Sequence, residues 1–203
     1  MTTHETPVRQ GFSEPWFPRL ALPDAADQTP EQRAAAQALI DGPRKGVYGP
    51  FLPLMHCPQL LDRVGKVGEY LRFDSLLDAR IRELVMCAVA RHVGNQFEWL
   101  MHAPLALKAG VAADTLEALR VGARPRNLPA DEEVALDFTQ ELTHRHGVSE
   151  PTFALALARF GDKGVVELTM VAGYFVMVSW MMNVAHTPAQ AGASGAALQA
   201  FPS

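Results

Sequence analysis

Apolar and polar residues along this chain recur with a helical period, and no run alternates convincingly with the period of two that a half-buried strand requires. Residues 76–92 make the point. Apolar side chains stand at positions 77, 81, 84, 85, 88 and 89, one face of a helix, with Ser75 placed to cap it. Thr29-Pro30-Glu31 is a start signal, a cap followed by proline and an acid in the first turn. That helix runs to about Ile40 and stops at Asp41-Gly42-Pro43. A second spans Pro58 to about Arg72. Gly94-Asn95 ends the third and opens a fourth, which closes at Gly110. Further helices are expected over 113–121, 129–146, 149–161 and 163–185. The chain therefore reads as all-α, with about seven or eight helices and no short-period repeat.

Between and around the helices the pattern breaks in three places. Residues 1–28 carry Pro7, Pro15, Pro18 and Pro23 with Trp16 and Phe17 between them, an extended arm whose aromatics need cover. The loop 43–57 is long and rich in glycine and proline, the composition of a functional loop or lid. The tail 187–203 is rich in small residues and reads as flexible. A single helical domain over 29–186 lies between arm and tail.

Composition narrows the function. With 203 residues, 48% of them hydrophobic, the chain can bury roughly 70% of its unfolded surface around one core. Net charge is −4 and no run of Lys or Arg exists, which argues against nucleic acid or an anionic membrane as partner. The first twenty residues have no apolar core of a leader. The most apolar stretch, 165–185, is interrupted by Glu167 and Asn183, leaving 15 residues between them. About 20 are needed to span a bilayer, so a buried core helix in a cytoplasmic protein is the expectation. Cys57 and Cys87 form no CxxC and no zinc-ligand spacing, and both are expected to be free and buried.

Candidate chemistry concentrates in Asn95-Gln96-Phe97-Glu98-Trp99-Leu100-Met101-His102, with Glu83 twelve residues before Asn95. Asn95, Glu98 and His102 share one helix face. A carboxylate one turn from an imidazole sets its tautomer and supports its cation, which suits proton transfer near neutral pH. Tyr174 and Trp180 on the last helix read as core. Arg80, Arg82, Arg91, Arg124 and Arg126 are all able to hold a carboxylate, and nothing in the sequence selects among them. His92, His144 and His146 stand at helix ends, where the dipole favours a cation. Glu98 and His102 supply two metal ligands without an obvious third, so no metal is expected.

Glu83, Asn95, Glu98 and His102 fall at the spacing of a known signature. The chain resembles the carboxymuconolactone decarboxylase / alkylhydroperoxidase D superfamily, whose peroxidase branch carries Glu, eleven residues, CxxC, three residues, then His. HAPLALKAGVAADTLEAL resembles the helix-turn-helix that follows in that family. The likeness extends from about Leu76 through Asn183. In this chain Asn95 and Glu98 occupy the two cysteine positions, so the peroxidase chemistry does not carry over.

The resemblance to the decarboxylase branch implies an acid/base enzyme without metal or organic cofactor, acting on a small carboxylated or lactone-like metabolite. His102, Glu98 and Glu83 would be catalytic: His102 handles the proton, Glu98 orients it, and Glu83 serves as second base or anchor. Asn95 and Trp99 would contact the substrate, although Asn95 is equally well explained as a helix cap. Assembly into homo-oligomers, trimers or hexamers, is implied as well. Two other readings stay open: a thiol-dependent peroxidase using Cys87 or Cys57, and a non-catalytic helical oligomer that binds a ligand or partner.

Overall fold

The computed structural model describes residues 18–189 and 195–198. Among them there is no strand, and eight helices follow one another: α1 (Pro30–Asp41), α2 (Phe51–Leu54), α3 (Pro58–Glu69), α4 (Ala79–Val93), α5 (Gln96–Ala109), α6 (Ala113–Arg120), α7 (Ala130–Arg145) and α8 (Glu150–Ala185). The Thr29 start signal is a full capping box, its hydroxyl and the Gln32 side chain each bonding the other's backbone N–H.

Helix α4 is the axis of the molecule, with α5, α7 and α8 packed around it. Leu84, Val85, Met86, Cys87, Val89 and Ala90 are all fully buried, so this helix is apolar on every side in its middle turns. One apolar cluster lies between α4, α7, α8 and the 51–71 segment; a second joins α4 to α5 and α6. Helix α8 is long and apolar enough to cross a bilayer by length and composition, yet more than half of that stretch is buried here. One side of it serves as a core helix.

The residues before α4 organise differently from the expected helix at 76. The chain leaves α3 through a π-helical turn, Tyr70–Asp74, and α4 starts only at Ala79, capped by Asp78 rather than Ser75. Ser75 instead donates to Glu167 of α8, and the same carboxylate accepts from Tyr70 and from the backbone N–H groups of Leu76 and Leu77. Glu167, a charge inside an apolar run, is there to satisfy this bend. Arg82 completes the turn by donating to the carbonyls of Arg72, Ser75 and Leu77.

Helix α8 contains the break expected near Gly161. That residue has φ 68° and ψ 175°, a conformation essentially reserved for glycine, so two helical segments meet there at a bend.

The loop 43–57 is less open than its composition promised. It contains α2, and Phe51, Leu54 and Met55 are core residues. Of the proposed arm, residues 1–17 lie outside the described residues, and 18–28 are not helical. Of the expected flexible tail, 195–198 are docked. Gln96 pairs through its side chain with both the N–H and the carbonyl of Leu198, Trp99 donates to Ala196, and Arg120 donates to Ala197. A backbone held by three side chains is fixed without secondary structure of its own.

Candidate functional site

The turn between α4 and α5 builds the site. Gly94 takes the left-handed conformation, φ 65°, and ends α4. Asn95 then caps α5: its side-chain carbonyl accepts from the Glu98 N–H at 2.9 Å. Its amide donates to the Ser179 carbonyl and the Asn183 side chain of α8 at 3.3 and 2.9 Å. The two helices run back antiparallel from this hairpin. Glu83 lies eleven residues before Gly94 and His102 eight after it, about 16 and 12 Å along their helices, close enough to level for a long carboxylate to reach across.

The contact is made. Glu83 Oε2 stands 2.7 Å from His102 Nδ1, and Glu98 Oε2, one turn before His102 on α5, stands 3.2 Å from Nε2. The imidazole is held at both nitrogens by carboxylates from two helices. Its side chain is 2% exposed and that of Glu98 4%, whereas Glu83 keeps 15%. Phe175 of α8 closes one side, its ring edge-on to the imidazole with centroids 5.1 Å apart.

Burial disfavours the imidazolium, but the hydrogen bonds and charges of Glu83 and Glu98 outweigh it and hold the His102 pKa above the usual histidine value. A proton is therefore stored between two carboxylates. Tyr174, beside Phe175, is pushed up to about 12 by its burial and by the Glu98 charge, against the opposing effect of Arg44.

The other expected site residues are placed elsewhere or occupied. Asn95 is fully buried and its amide is engaged on both sides, which is the work of a cap and a tie to α8. Trp99 lines a different pocket, of about 420 Å³, together with Leu107, Leu116, Arg120 and Ala196, and none of Glu83, Glu98 or His102 is in its walls. This pocket and the acid/base cluster thus do not coincide.

Arg80 is bound to Asp131 and Glu132 of α7, Arg82 to the bend before α4, and Arg124 to Asp137. Arg91 is packed under Gly122, and Arg126 is exposed. Cys87 is fully buried, and burial with the charges of Glu83 and Glu98 pushes its thiol well up, away from a reactive thiolate. Cys57 is exposed, contrary to expectation, because it precedes α3 at the surface. Trp180 is also exposed, by 61%, not core. Among the described residues no group of three or more His, Cys, Asp or Glu side chains has the arrangement of a metal site.

Sequence reasoning missed Arg44, a buried arginine on the loop that precedes α2. Its only signal was position, in a loop long enough to be functional.

Residues 58–141 match the model of the carboxymuconolactone decarboxylase family. No curated protein matches the chain. Among solved structures, the chain is similar to an alkylhydroperoxidase AhpD core, an uncharacterized peroxidase-related protein from Ralstonia eutropha JMP134. The TM-score is 0.68 at 18% identity, covering 84% of this chain and 92% of that one. It is similar also to an uncharacterized peroxidase-related protein from Silicibacter sp. TM1040, with a TM-score of 0.68 at 19% identity, covering 90% and 97%.

Identities this low speak to the fold, which is the alkylhydroperoxidase D-like helical fold. The family match over residues 58–141 supports the carboxymuconolactone decarboxylase-like resemblance in that segment, and the solved structures add the fold alone.

Proposed function

We propose that the protein is a cofactor-free acid/base enzyme similar to carboxymuconolactone decarboxylase, acting on a small carboxylated or lactone-like metabolite in the cytoplasm. The observation that supports this most directly is His102, buried between Glu83 at 2.7 Å and Glu98 at 3.2 Å. In decarboxylation of an unsaturated lactone acid, the C–C bond breaks and carbon dioxide leaves. The electron pair moves through the double bond to the lactone carbonyl oxygen, and a proton is then returned to carbon.

Both ring nitrogens of His102 are taken, so the division of roles differs from the expected one. Glu83 fixes the ring at Nδ1. A proton bound for the substrate passes from Nε2 to Glu98, the more deeply buried of the two carboxylates. Glu83, partly exposed, connects the pair to solvent. Two carboxylates sharing one imidazolium can hold and pass a proton without net separation of charge.

The thiol-peroxidase alternative is disfavoured at Cys87, whose thiol is pushed well up by burial and the charges of Glu83 and Glu98. We further propose that the chain works as a homo-oligomer, a trimer or hexamer. Val166, Met170, Met177, Trp180 and Val184, all between 45% and 61% exposed, continue an apolar row along α8 with Gly173 in the gap, at the spacing of four and three residues that seats another helix.

The test is turnover of γ-lactone acids followed by loss of the unsaturated chromophore. His102→Ala is expected to abolish turnover without unfolding, and Glu98→Gln to impair it less. Full activity in His102→Ala would overturn the acid/base reading.

A further inference from the structure

Arg44 is 8% exposed, yet among the described residues no carboxylate lies within ion-pairing distance of it. Its guanidinium lies over the Phe51 ring, 4.5 Å from the centroid, and its Nη2 reaches the Gly65 carbonyl at a long 3.3 Å. Its Nε is buried with no hydrogen-bond partner. Buried guanidinium groups are ordinarily paired, because desolvation is costly and five N–H donors need acceptors. A neutral ring, a carbonyl and a hydroxyl are its direct contacts; the one carboxylate that acts on it, Glu69, does so without forming an ion pair. Arg72 adds a second positive charge from the π-helical turn, and burial with that charge pulls the Arg44 pKa below its usual value.

The surroundings are shaped for this arginine. Gly65 and Gly68 stand one turn apart on α3. A methyl group added at Gly68 would come 2.1 Å from the Tyr174 hydroxyl and 2.8 Å from Arg44 Nη2. Glycine there lets Arg44 and Tyr174 converge above the backbone of α3. Tyr174 donates its hydroxyl proton to the Val64 carbonyl at 3.1 Å and interacts with Arg44. The Tyr174 ring stands 5.5 Å, centroid to centroid, from Phe175, whose ring lies 5.1 Å from the His102 imidazole. The line Arg44, Tyr174, Phe175, His102 therefore crosses the interior from the 43–57 loop to the acid/base pair.

We propose that Arg44, set against Tyr174, seats a carboxylate group of the ligand beside Glu98 and His102. A planar guanidinium with an unpartnered Nε and a weakly held Nη2 matches a carboxylate, and a buried site strengthens the pairing. A carboxylate held in this way is stabilised as the anion, so it is an anchor that stays on the molecule, not the group that departs. The site is the one read above as acid/base. Its binding function is tested without turnover, so the two readings fail separately.

The experiment compares benzoate with its neutral isostere benzamide on the full chain, by thermal unfolding and calorimetric titration, in wild type, Arg44→Met and Arg44→Lys. The expected result is that benzoate binds and raises the wild-type Tm while benzamide does not. Arg44→Met, which replaces an unpaired buried charge with an apolar chain of similar length, is expected to be as stable as wild type or more so without ligand. Its affinity for benzoate falls by about tenfold or more. Arg44→Lys keeps the charge without the fork and is expected to fall between.

Equal benzoate affinity in wild type and Arg44→Met, or no preference for benzoate over benzamide in wild type, overturns the proposal. So does a ligand-free Arg44→Met that has lost stability or cannot fold, since that marks Arg44 as a structural residue. Benzoate binding through Arg44 in a protein that turns over no lactone acid would keep this inference and remove the catalytic one.

Discussion

Glu83 on α4 and His102 on α5, nineteen residues apart in sequence, meet at 2.7 Å between Oε2 and Nδ1. With Glu98 3.2 Å from the other nitrogen, the imidazole has a carboxylate on each side and is only 2% exposed. This arrangement makes the protonation of His102 part of the stability of the fold.

The first prediction follows from the sign of that coupling. The folded pKa of His102 lies above its unfolded value of about 6.5. The contribution to stability is then fully present below pH 6.5 and is lost as pH rises through the folded pKa. Urea unfolding of wild type and His102→Gln across a pH series reads it. The wild-type advantage should be larger at pH 6 than at pH 9, and an advantage that grows with pH would mean that His102 is neutral in the fold.

Asn95 supplies the second. Its side chain caps α5 and ties the α4–α5 turn to α8. Asn95→Ala removes a buried cap and leaves the Ser179 carbonyl and the Asn183 side chain short of a donor, at a cost of about 1–3 kcal/mol. Chemical denaturation measures it. A loss within a few tenths of a kcal/mol would show that the hydrogen bonds contribute little here.

Gly68 supplies the third. Any β-carbon at this position collides with the Tyr174 hydroxyl and crowds Arg44. Gly68→Ala should cost about 1–3 kcal/mol through overpacking, although alanine favours a helix interior over glycine by nearly 1 kcal/mol. If the variant unfolds at the wild-type temperature, Tyr174 has room to retreat and the α3–α8 contact tolerates a methyl group.

The exposed row on α8 supplies the fourth. Trp180→Glu places a charge in the middle of the proposed seam between copies, where it should shift the solution mass toward the monomer. Sedimentation or light scattering checks it. A wild-type chain that is monomeric at micromolar concentration would remove the oligomer.

The sequence by itself determined most of the helices and many of their ends, because periodicity, caps and glycines act locally: Thr29, Gly94, Asn95, Gly110 and Gly161 all mark boundaries or breaks in the structure. It also marked Glu83, Glu98 and His102, since one turn and one hairpin suffice to bring them together.

Tertiary structure alone decided the rest. Glu167 capped a bend 90 residues upstream, which no local rule connects to it, and that bend delayed α4 from 76 to 79. Trp99 went to a different pocket and Trp180 to the surface, because which face of an apolar helix is covered depends on the neighbours it meets. Arg44 reads as an ordinary loop arginine until α3 and α8 close over it. The value of a buried charge is set by desolvation and by the partners that long-range packing supplies or withholds, and neither is written in the residues beside it.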